Sequence, residues 1–297
     1  METTSAPAKQ HGGAVLLRPG RPEDAEDCGR VCYEAFARLG ERHGFPPDFP
    51  SPEAATGLLS MLLAHRGFYA VVAEREGQIV GSNFLDERSP IAGVGPITVD
   101  PEVQDSGIGR RLMLAVLERA GERGFPAVRL LQAAYHNRSL SLYAKLGFEV
   151  REPVLNMHGD PLGETVAGYD VRAASKDDLE ACNRLCRAVH GHDRAAELAD
   201  AVREGSARVV EHEGRITGYT TGIAFFAHSV AESNESLKAL IAAATEFGGP
   251  GFLLPARNTP LVRWCLARGL RIRMVTTLMT IGLYNHPQGA YLPSIFY

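Results

Sequence analysis

A short glycine-bearing segment has the residues of an anion-binding turn. An apolar segment ends at Val99, and the chain continues as Val99-Asp100-Pro101-Glu102-Val103-Gln104-Asp105-Ser106-Gly107-Ile108-Gly109-Arg110. It leads into a predicted helix over Ile108–Arg123, whose first amides have no acceptor within the helix and lie at the positive end of its dipole. Glycine lets the backbone approach a bound group closely. The segment therefore predicts main-chain binding of a pyrophosphate, with Arg110 adding charge, although such a turn alone also serves as a plain connection.

A second segment carries a phenol and an amide: Asn137-Arg138-Ser139-Leu140-Ser141-Leu142-Tyr143-Ala144-Lys145-Leu146-Gly147-Phe148. It predicts a helix from about Arg138 to Lys145, ended by Gly147, with a strand beginning at Phe148. Tyr143 is either a proton donor or a core aromatic residue of an amphipathic helix. Asn137 either hydrogen-bonds a ligand or caps the helix, and one residue can do both.

An internal repeat predicts the elements that position these segments. One block of six residues recurs 154 positions later: Arg18, Asp24, Glu26, Cys28, Arg30 and Cys32 match Arg172, Asp178, Glu180, Cys182, Arg184 and Cys186. A block of seven recurs 137 positions later: Ala70, Val72, Glu74, Glu76, Gly77, Ile79 and Gly81 match Ala207, Val209, Glu211, Glu213, Gly214, Ile216 and Gly218. The repeat divides the chain near Leu155–Tyr169, where Gly, Pro and Asp cluster as in a linker.

Each copy begins with a short strand, an acidic turn and an amphipathic helix, and continues with a hairpin that turns at a glycine. The strands expected in the first copy are Val15–Arg18, Phe68–Glu74, Gln78–Leu85, Val94–Val99, Ala127–Ala133 and one from Phe148. The matching strands of the second copy are Tyr169–Arg172, Ala207–Glu211 and Arg215–Ile223. The order β-α-α-β-β-β-α-β-α-β predicts an α/β fold, with a mixed sheet and helices on both of its faces.

The two chemical segments together resemble the signatures of the GNAT acetyltransferase superfamily. Gln-x-x-Gly-x-Gly after Val-x-Pro resembles its coenzyme A motif, and Asn followed by Leu-Tyr-x-Lys-x-Gly-Phe resembles its second motif, in the family's order and separation. The resemblance is full from Val15 to about Asn156 and weaker beyond. It implies an α/β fold of tandem GNAT-like domains, each a mixed, mostly antiparallel central sheet flanked by helices. The expected divisions are a disordered leader over 1–14, a catalytic acetyl-CoA-binding domain over 15–156 and a degenerate domain over 169–297.

The resemblance implies a role for each matching residue. Backbone amides from Gln104 to Arg110 hold the pyrophosphate of acetyl-CoA, through Gln104, Asp105, Ser106, Gly107, Ile108, Gly109 and Arg110. Main-chain groups of Ile97, Thr98 and Val99 pair with the pantetheine arm as an added strand does. Asn137 hydrogen-bonds the arm from the other side. Tyr143 lies near the sulfur and protonates the leaving thiolate, a step that attack of an amine on a thioester requires.

The general base is where this sequence departs from the family pattern. Many members carry a carboxylate on the strand before Val99, but Gly95 and Pro96 stand there in this sequence. Asp86 and Glu87, which end the preceding strand, are candidates to replace it as the general base. Alternatively, they only form a solvated hairpin end. The carboxylate of Tyr297 is a third candidate, because some tandem acetyltransferases use theirs. The apolar residues Tyr291–Tyr297 predict a docked tail, either near the acceptor pocket of the first copy or packed only within the second. A proton can also leave the amine through water, with no protein base.

The second copy lacks the features of a coenzyme A site. Val230–Leu237, at the position of the glycine-bearing turn, contains no glycine and carries two carboxylates that would repel a pyrophosphate. Asn258–Gly269 keeps a trace of the second motif, with Trp264 in place of Tyr143. We therefore expect one acetyl-CoA per chain. The acceptor pocket is expected around Glu41–Phe49, whose aromatic and charged residues suit a small amine, unless the segment is only a surface loop.

Three functions remain open from the sequence. The first is an N-acetyltransferase that moves an acetyl group from acetyl-CoA to a primary amine of a small molecule or peptide. The second is a catalytically silent acyl-CoA sensor or regulatory protein, which the absent base favours and Tyr143 disfavours. The third is an acyltransferase acting on protein N-termini. The same fold supports many substrates, so the fold alone does not decide between them.

Composition excludes several other classes of function. The chain of 297 residues is 45% hydrophobic and 22% charged, with a net charge of −4, and it has no long Lys/Arg run. We therefore expect no nucleic-acid partner, no membrane span, and a cytoplasmic monomer or homodimer. Five cysteines without zinc spacing predict small core residues rather than a metal or redox site.

Overall fold

The computed structural model describes residues 14–297, so the leader expected over 1–14 lies almost wholly outside the described residues. The first repeat copy forms, in chain order, β1 (Val15–Pro19), α1 (Ala25–His43), α2 (Pro52–Ala64), β2 (Phe68–Arg75), β3 (Gln78–Asp86), β4 (Ala92–Val94), β5 (Thr98–Val99), α3 (Ile108–Glu122), β6 (Ala127–Ala133), α4 (Asn137–Lys145) and β7 (Glu149–His158). The second copy forms β8 (Tyr169–Ala173), α5 (Leu179–His190), α6 (Ala195–Glu204), β9 (Arg208–His212), β10 (Arg215–Thr220), β11 (Ser229–Ala231), α7 (Asn234–Ala242), β12 (Phe252–Pro255), α8 (Thr259–Ala267), β13 (Arg271–Gly282) and β14 (Ala290–Leu292). No helix among residues 14–297 has the length and apolar character needed to cross a membrane.

The predicted order of elements is confirmed, with two corrections. The single strand expected over Val94–Val99 is broken into β4 and β5, because Gly95 has a φ of 138° and Pro96 has no N–H to donate to a ladder. Leu155 to His158 belong to β7, so the interpretation of that stretch as linker is wrong, and the irregular connection begins after His158.

The internal repeat is present in three dimensions. The Arg18 guanidinium lies 2.8 Å from the carboxylate of Asp24 and 2.8 Å from that of Glu74, which ties β1 to the start of α1 and to β2. In the second copy the corresponding ion pairs have distances of 2.8 and 2.6 Å, and they join Arg172, Asp178 and Glu211. The hairpin turns also correspond, because Glu76-Gly77 and Glu213-Gly214 all have positive φ, as a tight two-residue turn requires.

The described residues divide into two compact units. The first comprises the residues up to Phe84 together with Pro96–Val116. In it β1 pairs with β2 antiparallel, β2 continues through the hairpin into β3, and β5 pairs with β3 antiparallel. The helices α1 and α2 bury one apolar face in the core of this unit, through Cys28, Val31, Cys32, Leu59 and Leu62.

The second unit comprises Leu85–Gly95 together with Leu117–Tyr297. It holds a five-stranded sheet in the order β14-β11-β10-β9-β8, and part of a larger sheet in which β4, β6, β13, β7 and β12 are neighbours in that order. Only the pairing of β4 with β6 is parallel among these strands. The predicted fold class, a mixed and mostly antiparallel sheet flanked by helices, is confirmed.

The two copies interleave their last long strands, which the sequence does not predict. The second copy's β13 lies between β6 and β7 of the first copy, with Leu278 opposite Leu131 on one side and Val275 opposite Leu155 on the other. In turn, β7 of the first copy pairs with β12 of the second, where Leu254 lies opposite Leu155. Each copy therefore completes its sheet with a strand from the other.

Candidate functional site

The turn Gln104–Arg110, called here the glycine turn, has the backbone of an anion-binding site. Asp105 and Gly107 have φ values of 68° and 83°, in the left-handed region. Asp105, Ser106 and Gly107 are exposed, and a Cβ built on Gly107 would meet nothing within 4 Å. Left-handed residues in a turn can direct neighbouring amides toward one side, and the first amides of α3 have no acceptor within the helix. This geometry suits close approach of a pyrophosphate to the main chain.

Buried apolar side chains and two side-chain hydrogen bonds hold the glycine turn in place. Val103 and Ile108, on either side of its exposed residues, are 3% and 2% exposed. The Gln104 side-chain amide donates to the carbonyl of Val99 at 3.1 Å, and the Ser106 hydroxyl donates to the carbonyl of Val103 at 2.6 Å. The side chains of Gln104 and Ser106 are therefore occupied in shaping the turn.

β5 offers a short strand edge beside this turn. Val99 lies opposite Gly81 and Thr98 opposite Ser82, so one edge of β5 is paired with β3. The approach is close, since a Cβ on Gly81 would lie 2.8 Å from the Thr98 carbonyl oxygen. Among the described strands β5 pairs only with β3, and Ile97 precedes the strand without being part of it. The second edge of β5 is thus suited to strand-like pairing with an extended ligand.

In the second unit, α4 carries Asn137 and Tyr143. The helix begins at Asn137, and the capping position is His136, so Asn137 does not act as the N-cap. Asn137 is exposed, whereas Tyr143 is 7% exposed and packs edge-on against Phe148 with ring centroids 6.0 Å apart. Burial raises the pKa of the Tyr143 phenol above its ordinary value near 10, so the hydroxyl stays protonated at neutral pH.

The two carboxylates considered as bases are each held by an arginine. Arg88 donates to both oxygens of Asp86, at 2.9 and 2.6 Å. Arg119 donates to both oxygens of Glu87, at 2.7 and 3.1 Å. Asp86 is 3% exposed, and burial raises its pKa against the opposing effect of Arg88. Both carboxylates are therefore parts of ion pairs, in which arginine N–H groups occupy their oxygens.

The tail that ends at Tyr297 packs on the first copy. The carbonyl of Phe296 contacts Gly93 of β4, and the Tyr297 ring lies over the Arg129 guanidinium of β6 with 4.7 Å from its central carbon to the ring centroid. The Tyr297 hydroxyl shares a 3.0 Å hydrogen bond with Nδ1 of His190, whose pKa burial lowers well below 6.5. The docking expected from the apolar sequence is confirmed, and it is not confined to the second copy.

In the second copy, side chains occupy the positions that correspond to the glycine turn and to α4. The Ser233 hydroxyl caps α7 by accepting from the Ser236 amide at 3.3 Å. Asn258, the counterpart of Asn137, exchanges two hydrogen bonds with Asn234, of 2.8 and 3.0 Å. These groups satisfy one another, so little remains to bind a pyrophosphate.

Sequence reasoning missed Arg129. It lies in the middle of β6, is 1% exposed, and is buried among aromatic rings. The available signal was a single basic residue inside the apolar strand Ala127-Val128-Arg129-Leu130-Leu131. No group of three or more His, Cys, Asp or Glu side chains within residues 14–297 is arranged to hold a metal ion, and the five cysteines are buried thiols.

Comparison with known families and relatives finds a match over the residues that carry these two segments. Residues 35–148, which include the glycine turn and α4, match the acetyltransferase (GNAT) family. A mycothiol acetyltransferase of Thermobispora bispora is 35% identical over 164 residues, which are 49% of this chain and 50% of that protein. The chain spans at most half the length of the curated relatives it matches. Over residues 35–148 the chain is therefore similar to the GNAT acetyltransferase family.

Solved structures extend the likeness in fold to the whole chain. A putative acetyltransferase from Pyrococcus horikoshii superimposes with a TM-score of 0.72 at 18% identity, covering 97% of each chain. A tandem GNAT protein from the clavulanic acid biosynthesis pathway superimposes with a TM-score of 0.56 at 17% identity, covering 91% of this chain and 98% of that one. At these identities the likeness shows the fold alone.

Proposed function

We propose that the chain is an acetyl-CoA-dependent N-acetyltransferase that acts on a primary amine of a small molecule or peptide, with one cofactor site, in the first copy. The observation that carries the proposal is the glycine turn, with Asp105 and Gly107 in left-handed conformations directly before α3. Its match to the GNAT family supports the choice of acetyl-CoA among phosphate-bearing ligands.

The residues fit the parts of that ligand. The main-chain amides of Gln104–Arg110 would hold the pyrophosphate, and the exposed Arg110 would add a positive charge. The main chain of Ile97–Val99 would pair with the pantetheine arm, because β5 has one edge without a strand partner among the described residues. Asn137, exposed at the start of α4, would hydrogen-bond the arm. Acetyl-CoA supplies a thioester whose carbonyl carbon accepts the amine and whose sulfur leaves as a thiolate.

Tyr143 would protonate that leaving sulfur. Burial keeps its phenol protonated at neutral pH, and among residues 14–297 its hydroxyl forms no hydrogen bond that would compete for the proton. A positioned donor of this kind lowers the barrier to expelling a thiolate. Asp86 and Glu87 are held by Arg88 and Arg119, and we therefore assign the amine proton to water rather than to either carboxylate.

The second copy would serve as a scaffold without its own cofactor. The hydrogen bonds of Ser233, Asn234 and Asn258 fill the positions that bind ligand in the first copy. Its strand β13 and the tail ending at Tyr297 instead support β6 and β4 of the first copy. This arrangement explains why a degenerate copy would be retained.

Calorimetric titration of the whole chain with acetyl-CoA tests the proposal. We expect saturation at one equivalent per chain, followed by acetyl transfer and coenzyme A release when an amine library is added. Two equivalents would contradict the assignment of the second copy, and absence of binding would refute the cofactor. Binding without transfer to any amine or peptide would instead identify an acyl-CoA sensor.

A further inference from the structure

Among residues 14–297, Arg129 is a buried cation without a counter-ion. Its side chain projects from the centre of β6 and is 1% exposed, the most voluminous fully buried side chain of the chain's described residues. Its Nε has no hydrogen-bond partner, and its guanidinium forms no ion pair within residues 14–297. Guanidinium keeps its proton under all physiological conditions, so burial cannot be relieved by neutralisation. An uncompensated charge in this position is strongly unfavourable unless a ligand compensates it.

The groups around Arg129 leave further donors unsatisfied. Tyr284 lies under the Arg129 guanidinium, with 5.3 Å from the central carbon to the ring centroid. Its buried hydroxyl has no hydrogen-bond partner in the described part of the chain. Arg151 stacks on the same ring at 4.9 Å, and its Nε is also buried without a partner. Aromatic contacts cover the faces of a guanidinium and leave its in-plane N–H groups available for an acceptor. The Nε of Arg129, the Nε of Arg151 and the hydroxyl of Tyr284 are thus three unsatisfied donors close together, an arrangement that suits an anionic acceptor.

The charge balance favours a group with a single negative charge. Arg151 is already paired with Glu149 at 2.7 Å, and the nearby Arg194 is paired with Glu197 at 2.6 Å. Of these three arginines, Arg129 is the one without a carboxylate partner among the described side chains. A carboxylate carries one negative charge and matches the planar guanidinium edge, whereas a phosphate monoester carries close to two.

The site lies where two strands of the second unit separate. β4 and β6 are parallel, and their pairing ends with Gly93 opposite Arg129. β4 ends one residue later at Val94, while β6 continues to Ala133. The tail residue Tyr297 covers Arg129 from one side. Arg129 thus lies at the position where the pairing of β4 with β6 ends.

We propose that Arg129, aided by the hydroxyl of Tyr284, binds a carboxylate of the acceptor, so that the acceptor is an amino acid or another small amine bearing a free carboxylate. This inference rests on the proposed acetyltransferase function. It narrows the acceptor class from any primary amine to amines that carry a carboxylate.

The test compares amines that differ only in this group. Standard amino acids and their carboxamides are titrated into the wild-type chain and followed by melting temperature and calorimetry, with inorganic phosphate as a further probe. We expect at least one free acid to bind roughly ten- to a hundredfold more tightly than its amide, the ratio that a hydrogen bond to a charged group provides. If no acid binds more tightly than its amide, or if only phosphate binds, the proposal is overturned.

Variants test whether Arg129 is the residue that causes the preference for free acids over amides. Arg129→Met should abolish the preference for acids and leave acetyl-CoA affinity unchanged, while Arg129→Lys should keep part of it. Arg257→Met is the matched control, because Arg257 also stacks on a tyrosine, Tyr291, but is paired with Glu152 at 2.8 Å. That variant should keep the full preference for acids. A preference for acids that survives Arg129→Met would place the carboxylate elsewhere.

Stability separates a binding role from a structural one. Removal of an uncompensated buried charge should leave the melting temperature of ligand-free Arg129→Met equal to or above that of the wild type. A large fall would identify Arg129 as a packing residue, and the wild-type acid and amide comparison then decides alone. Binding of acids without acetyl transfer would support the carboxylate site and refute only the acetyltransferase function. Acetyl transfer without a preference for acids would support the acetyltransferase function and refute only the carboxylate site.

Discussion

The main-chain carbonyl of Phe296 lies directly against Gly93, at a distance that leaves no room for a Cβ. Gly93 is in β4 of the first copy and Phe296 is in the tail that follows β14 of the second. A glycine in the strand is therefore required by the close approach of another backbone, not by its own dihedral angles. Any side chain at this position must move either the tail or β4.

The first prediction follows from this contact. Gly93→Ala should lower the free energy of unfolding by about 1–3 kcal/mol, as overpacking of a buried site does. Gly121→Ala is the control, because Gly121 lies within α3 and a Cβ there meets nothing within 4 Å. Alanine should be neutral or stabilising at that helical position. Urea unfolding measures both changes, and a Gly93→Ala protein as stable as the wild type would show that the tail does not hold this position in solution.

The second prediction concerns the glycine turn. Gly107→Glu should abolish acetyl-CoA binding, since it adds bulk and negative charge beside the expected pyrophosphate. Gly124→Glu is a matched control, because Gly124 also has a positive φ, 72° against 83°, and open space at its Cβ. Both variants carry similar backbone strain. Calorimetry should show loss of binding only for Gly107→Glu, and equal losses would attribute the effect to strain rather than to the site.

The third prediction separates proton donation from packing at Tyr143. Tyr143→Phe should reduce kcat on the order of ten- to a thousandfold and leave acetyl-CoA affinity and melting temperature nearly unchanged, because only the phenolic O–H is lost. Burial raises the pKa of this phenol, so we expect no loss of wild-type kcat from its ionisation up to at least its ordinary value near 10. Unchanged turnover in the variant would assign Tyr143 to the core alone.

The fourth prediction is a sensitivity to mild acid. Burial, with Arg194 nearby, lowers the pKa of His228 to about 4, so this histidine is neutral in the folded chain. In the unfolded chain the His228 ring takes up a proton near pH 6.5, whereas in the folded chain it does so only near pH 4. Stability is therefore fully present above about pH 6.5 and falls as the pH is lowered toward 4, by about 1.4 kcal/mol per pH unit for this group.

Unfolding free energies measured between pH 7 and pH 4.5 test this acid sensitivity. His228→Gln removes the titrating group, and its stability should depend on pH less steeply than that of the wild type by about one proton. The buried His228 ring also shares a 3.1 Å hydrogen bond with the Tyr219 hydroxyl, so the variant is expected to be less stable at pH 7. Equal slopes for the two proteins would mean that His228 is not the group responsible.

Local patterns predicted those features that depend on neighbouring residues in the chain. The helix α3 begins at Ile108 as expected, because the glycine turn before it and the apolar spacing within it are local signals. The hairpin at Glu76-Gly77 and its counterpart at Glu213-Gly214 are local for the same reason. Pro96 is a local signal for the break between β4 and β5, because proline cannot donate to a strand ladder. The apolar residues on both sides nevertheless favoured the prediction of one continuous strand.

Long-range features were beyond the sequence. Nothing within β7 or β13 indicates which copy's strand each will pair with, since both are apolar enough for either partner. The arginines that pair with Asp86 and Glu87 show the same limit on predicting contacts between residues distant in the sequence. Arg88 is only two residues from Asp86, but Arg119 reaches Glu87 from 32 positions away. The roles of the two carboxylates therefore could not be judged before the contacts were known.

The interleaving of β7 and β13 imposes an order of events during synthesis. The ribosome finishes β6 at Ala133 but must translate about 150 more residues before Gly282 completes β13, which at 5–20 residues per second takes roughly 8–30 s. Throughout that interval the nascent first copy presents an unpaired β6 edge, which invites pairing with other nascent chains. A chaperone that shields this edge, or slow dilution of the refolding chain, is thus expected to raise the yield of active protein. The same dependence makes the two copies inseparable: a fragment ending in the connection after His158 would lack the strand that closes its own sheet.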